Sequence, residues 1–237
     1  MAYAPAYPHD PIEEIFADVF MVRGSVQFNS LMRITRNMAI VRHGSELTLV
    51  DPIRLDAAGE RDLRALGDVK RILRLGPLHG LDDAYYADAF GAELWAQGPS
   101  ETYPEPKVAV EFDAATAMPF PDAEVFEFAG ANRRESALLI RRHGGLLITC
   151  DSIQNYGDYR HNTWLARLLL PFVGFPKRTL VGPIWLKLMT PEGGSLESAF
   201  RRLLGLEFDW LLSAHGSLLR GGAHAAVKAA VDRAFPA

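Results

Sequence analysis

Four short apolar runs in this chain each end on a carboxylate or a histidine. Leu47-Thr48-Leu49-Val50 delivers Asp51, and Leu146-Leu147-Ile148-Thr149-Cys150 delivers Asp151. Residues 69–75 lead into Gly76-Pro77-Leu78-His79-Gly80-Leu81-Asp82-Asp83, and Trp210-Leu211-Leu212-Ser213-Ala214 leads into His215-Gly216. Short continuous apolar runs bounded by Gly and Pro predict strands buried on both faces. Polar side chains at the ends of such strands gather on one rim of a sheet. The chain is therefore expected to build its chemistry at a sheet edge.

Around these runs the sequence reads as two β-rich blocks, each followed by helices. In the first, residues 18–23, 26–34, 37–42 and 46–50 predict strands, with Gly24-Ser25, Arg36-Asn37 and His43-Gly44-Ser45 as hairpin turns. A helix over 55–66 with Asp56 near its start, a strand over 69–75, a helix over 82–90 and a strand over 93–96 follow. In the second, strands are predicted over 108–112, 124–128, 136–141, 146–149 and 210–213, and helices over 159–170, 196–204 and 223–235. No linker is long or polar enough to divide the chain, so residues 1–237 are expected to form one domain of two stacked sheets with helices outside.

Composition narrows the function classes. Apolar residues make up 49% of the 237 and charged residues 23%, which excludes a disordered chain. A net charge of −4 with the signs interspersed gives no basis for nucleic-acid binding. One cysteine, Cys150, excludes an intrachain disulfide framework or a cysteine-rich zinc module. The N-terminal residues lack a basic start followed by an apolar run. The most apolar stretch, 164–189, is broken by Arg167, Lys177, Arg178 and three prolines, so no membrane span is expected. A cytoplasmic protein is the expectation.

The order of these pieces resembles the metallo-β-lactamase superfamily over most of the chain. The matching pieces are Leu49-Val50-Asp51, residues 76–83, residues 144–151 and Ser213-Ala214-His215-Gly216. The resemblance implies an α/β fold, a four-layer αββα sandwich, with one or two zinc, iron or manganese ions at one edge. The family's metal loop reads His-x-His-x-Asp-His, whereas this chain keeps only His79, Asp82 and Asp83. Setting His79 on the second histidine puts Asp82 on the last one and Pro77 on the first. Setting it on the first histidine puts Asp83 on the aspartate; the spacing to Gly91 favours the former. The family's Gly-His turn falls at Gly130-Ala131-Asn132, without a histidine. Asp151 matches the bridging aspartate and His215 the final histidine, while Cys150 replaces the usual glycine.

The resemblance thus implies a single divalent ion held by His79, Asp151, His215 and one of Asp82 or Asp83, with zinc first and iron or manganese next. It implies metal-assisted hydrolysis of a small molecule, with Asp151 or Asp82 as proton acceptor. The family's substrates include lactams, thioesters, lactones and phosphodiesters, and nothing in the sequence selects among them. The competing expectation is a non-catalytic protein without metal that binds a small molecule or a protein over the eroded rim. Asp51 is expected to brace the metal loop, Cys150 to be an inert small hydrophobe, and His43 and His143 to be solvated; His161 is expected at a helix end or the surface, with an added metal ligand as the alternative. Part of 164–189, with Phe172 and Phe175, is expected to form an apolar lid or a homodimer surface with Lys177, Arg178 and Lys187 at its rim.

Overall fold

The computed structural model describes residues 3–100 and 102–236. The first block comprises β1 (Glu13–Phe16), β2 (Val19–Gln27), β3 (Arg33–His43) and β4 (Glu46–Val50). After these come α1 (Ala57–Leu66), β5 (Asp68–Arg74), α2 (Asp83–Phe90), β6 (Glu93–Ala96) and β7 (Val110–Glu111). Its seven strands pair in sequence order, antiparallel through β4 and parallel from β4 to β7. The second block comprises β8 (Ala123–Glu127), β9 (Ser136–Ile140), β10 (Leu146–Thr149), β11 (Ile153–Asn155), α3 (Trp164–Leu169) and β12 (Thr179–Val181). It continues through α4 (Pro183–Met189), α5 (Glu197–Leu203), β13 (Trp210–Ser213), β14 (Leu219–Arg220) and α6 (Ala223–Ala234). Here the order is β14-β13-β10-β9-β8, with β10 and β13 parallel, and β11 and β12 form a separate two-stranded sheet.

Period-two alternation makes the layers. Leu138, Ile140, Leu146, Ile148 and Leu212 of the second sheet pack against Val19, Met21, Ala39 and Leu73 of the first. Their neighbours Leu139, Leu147 and Leu211 face the other way, onto Trp185, Phe200 and Val227 of the outer helices. On the far side Ile40, Leu49 and Ile72 meet Leu63 of α1 and Tyr86 of α2. The result is helix, sheet, sheet, helix. No described helix is long and apolar enough to cross a membrane.

Two expected turns lie instead in mid-strand, where β2 and β3 are continuous and Gly24 pairs with Arg36. Gly24 is there for close approach, since a Cβ would stand 2.5 Å from Ile53 Cδ1 and 2.8 Å from His9 Cβ. The chain reverses further on, where the Phe28 amide donates to Met32 O (2.9 Å). The expected helix over 159–170 begins only at Trp164, because Asn162 turns inward and its Oδ1 accepts from the Thr35 amide at 2.7 Å. The prolines of 164–189 divide it as expected: Pro171 follows α3, and Pro183 opens α4.

Candidate metal centre

The parallel registers bring the four strand ends together. Thr149 lies beside Ser213 in the β10–β13 pair, so Asp151 and His215, two residues further on, emerge side by side. Val50 lies beside Leu73 in the β4–β5 pair, which places Asp51 against the start of the His79 loop. The two rims are tied by Asn37 of β3, whose amide donates to Ala214 O (2.8 Å) and whose Nδ2 donates to Ser213 O (2.7 Å).

Asp151 is central. Its Oδ1 lies 3.1 Å from His215 Nε2 and its Oδ2 lies 3.3 Å from His79 Nε2. Both imidazoles are held from behind: His215 Nδ1 bonds Thr35 O at 2.7 Å, and His79 Nδ1 lies 3.1 Å from Cys150 Sγ and 3.3 Å from Asp51 Oδ2. Asp51 also accepts from the Leu75 amide at 3.0 Å, which braces the loop as expected. Cys150 is buried, but it touches His79 and is more than filler.

The electrostatics follow from burial working against close partners. For Asp151, burial presses toward the neutral acid, but His79 and His215 overcome it and hold the carboxyl well below its usual range. For His79, burial and then Arg36 favour the neutral ring, yet Asp151 and Asp51 hold its pKa above the ordinary value. Asp51 is likewise lowered, burial being outweighed by His79 and Arg36.

Asp82 and Asp83 lie outside the cluster formed by His79, Asp151 and His215. Asp82 stands at the N-terminus of α2, where its Oδ2 accepts from the Arg54 amide (3.0 Å) and burial raises its pKa. Asp83 pairs with Arg74 at 3.3 Å, and burial lifts it to about 6. His43, the last residue of β3, and His143, in a turn, are exposed, while His161 is half-buried, pairs with Asp10 at 3.0 Å and lies outside the cluster.

Two buried residues are absent from the sequence expectation. Glu135 accepts from the Ser152 amide (2.9 Å) and Trp185 Nε1 (2.6 Å), and burial with the nearby Asp151 charge raises it to about 8. Arg36, in the middle of β3, reaches the same rim and lines a cavity above it. Segment 164–189 forms one wall of that cavity through Leu169, Val173, Phe175 and Trp185, while Phe172 points into solvent at 82% exposure.

This layered architecture is the metallo-β-lactamase fold. No protein-family model and no curated protein matches the chain. Solved structures do. DIM-1 metallo-β-lactamase matches with TM-score 0.64 and 9% identity, over 98% of this chain and 99% of that one. FIM-1 from Pseudomonas aeruginosa in its mono-zinc form gives 0.61 and 12%, over 98% and 99%. The metallo-β-lactamase from Erythrobacter litoralis gives 0.60 and 14%, over 93% and 90%.

The donor set suits one divalent ion. His79 Nε2, His215 Nε2 and a carboxylate oxygen of Asp151 lie within 4.8 Å of one another. His79 Nε2 is buried with no hydrogen bond of its own, and both Nδ1 atoms are committed elsewhere, which leaves each Nε2 lone pair facing inward. Two imidazoles and a carboxylate match the three-ligand pattern that leaves a coordination position open. The two further carboxylates of the loop lie outside this set, Asp82 held through Oδ2 on the Arg54 amide and Asp83 on Arg74.

Proposed function

We propose that the chain is a divergent metal-dependent hydrolase of a small molecule, with one divalent ion, zinc in first place, on His79, Asp151 and His215. The observation that carries this reading is the inward pair of Nε2 atoms around Asp151, each ring fixed from behind. A bound divalent ion supplies a Lewis acid and a more acidic water. Thr35 O fixes the His215 tautomer, because the Nδ1 proton must donate to that carbonyl. Asp51 and Cys150 do the same for His79. Asp151 stays ionised at neutral pH and is the proton acceptor beside the open position. Asp82, whose Oδ1 is buried without a partner, is the second carboxylate able to take a proton. The apolar cavity above the floor excludes water and receives the substrate.

The single cysteine and the mixed-sign charge support a cytoplasmic protein acting on a small molecule and not on nucleic acid. A non-catalytic binding role has its own support, since His79, Asp151 and His215 also satisfy one another at 3.1–3.3 Å. The test is hydrolysis of a panel of p-nitrophenyl esters, lactones and phosphodiesters by chelator-treated and zinc-reconstituted protein. Turnover that appears with zinc and vanishes in His215→Ala supports the hydrolase. Equal background rates across the panel for both proteins favour the binding role.

A further inference from the structure

The cavity above the centre encloses about 480 Å³, within the several hundred Å³ typical of sites for small ligands. One wall is Val26, Met32 and Ile34 from the β2–β3 hairpin; the other is Leu169, Val173 and Phe175 from segment 164–189. The cavity is also lined by His79, Asp151 and His215, the two rings lying 3.3 and 3.1 Å from the carboxylate, and by Arg36.

Arg36 is the unpaired cation of this lining. It is 7% exposed, and its Nε is buried with no hydrogen-bond partner. Among the described residues no carboxylate comes within ion-pair distance of it. The other inward arginines are paired: Arg23 with Asp158, Arg71 with Glu46 and Arg74 with Asp83. Asp51, Asp82 and Asp83 reach Arg36 only as charges at a distance, so its planar fork, which is shaped for two carboxyl oxygens, holds neither. We propose that this cavity binds an aliphatic acyl group, with its carboxyl oxygens on Arg36 and its chain between the two apolar walls. This deepens the hydrolase reading by naming the substrate class as an acyl ester. Water adds its hydroxyl to the acyl carbon, the acyl C–O bond breaks, the alcohol leaves with the other proton, and the acid gives its own proton to bulk water and remains as a carboxylate at Arg36. The exposed Phe28, which lines the cavity, suits a chain entering from an apolar phase.

The experiment measures binding alone, on the full chain freed of metal by chelator. Octanoate, decanoate, dodecanoate and 1-dodecanol, each below its micellar concentration, are titrated by calorimetry, with Trp185 fluorescence as a second signal. Affinity should rise about fourfold per added methylene until the cavity is full, and dodecanoate should bind at least about tenfold tighter than the alcohol. Arg36→Gln should erase that tenfold preference and leave alcohol binding unchanged. Val173→Glu, at an exposed wall position, should weaken both ligands. Equal affinity for acid and alcohol, an undiminished preference in Arg36→Gln, or no binding would overturn the proposal. Should Arg36→Gln fail to fold, the acid-to-alcohol ratio of the wild type and the Val173→Glu result decide it. Because no metal or turnover is involved, failure here leaves the hydrolase reading standing, and failure of that reading leaves this result intact.

Discussion

Gly76 is not a turn glycine. It lies outside the positive-φ residues, so its backbone would accept any side chain; space is what excludes one. A Cβ built on it would stand 2.4 Å from Cys150 Sγ, 2.7 Å from Glu135 Oε2 and 3.1 Å from Cys150 Cβ. Cys150 fills the volume that Gly76 leaves open, and neither Cys150 nor Glu135 can move away cheaply. Cys150 is fully buried, and Glu135 is anchored by the Ser152 amide and Trp185 Nε1. Overpacking of this kind costs about 1–3 kcal/mol, and loosening the Glu135 hydrogen bonds adds about 1 kcal/mol or more. Gly76→Ala should therefore cost roughly 3 kcal/mol in urea unfolding, which for a chain of this size lowers Tm by about 6–12 °C. Cys150→Ala removes the 2.4 Å contact but keeps the one at 2.7 Å. In a double-mutant cycle the pair should thus be more stable than the sum of the single variants by about 1 kcal/mol or more. A Gly76→Ala cost below about 0.5 kcal/mol, or strictly additive variants, would refute this packing account.

Other outcomes follow from the same rim. Asp51→Ala leaves the buried Leu75 amide without an acceptor and should cost about 1–3 kcal/mol in unfolding assays; it should also weaken metal affinity about 10- to 100-fold by freeing His79. In chelator-treated protein, Asp151→Asn removes a charge holding the His79 pKa up, so an NMR titration should show it fall; an unchanged value would contradict the pairing. Asp83 has its folded pKa raised from 3.8 to about 6, so its stabilisation is full below pH 3.8 and is lost as pH rises through about 6. The wild type should therefore lose about 3 kcal/mol more than Asp83→Asn between pH 4 and pH 7, and parallel pH profiles would refute it. Phe172→Glu should shift stability by less than about 0.5 kcal/mol, and light scattering on that variant separates a cavity wall, with mass unchanged, from a dimer surface, with mass halved.

The strand ends were legible because each apolar run stops on one ionisable residue, and parallel registers leave such residues little choice but a shared rim. The layers were legible for a similar reason: the runs over 46–50 and 146–149 admit no exposed face. Arg36 was hidden by the same logic. A polar pair, Arg36-Asn37, interrupting β-rich sequence looks like a turn, and only the pairing of β3 with β2 shows it buried in mid-strand. The residue that crosses to the opposite sheet, Asn37, thereby carried its neighbour to the site. Glu135 was masked by Arg133 and Arg134, which make its segment read as a solvated loop. Asp82 and Asp83 could not be separated in sequence, because a helix N-terminus and a metal loop favour the same residues. The local bonds to Arg54 and Arg74 decide where they sit.

The central claim is that His79, Asp151 and His215 form a one-ion site, and metal stoichiometry tests it most directly. Protein purified without chelator, with wild type, His79→Ala and Asp151→Ala handled side by side, is analysed for zinc, iron and manganese, and zinc binding to the stripped chains is titrated. The account predicts close to one ion per wild-type chain and a loss of affinity in both variants, since each removes one donor from a set of three. A wild type that takes up no ion, or variants that retain the wild-type content, would contradict it.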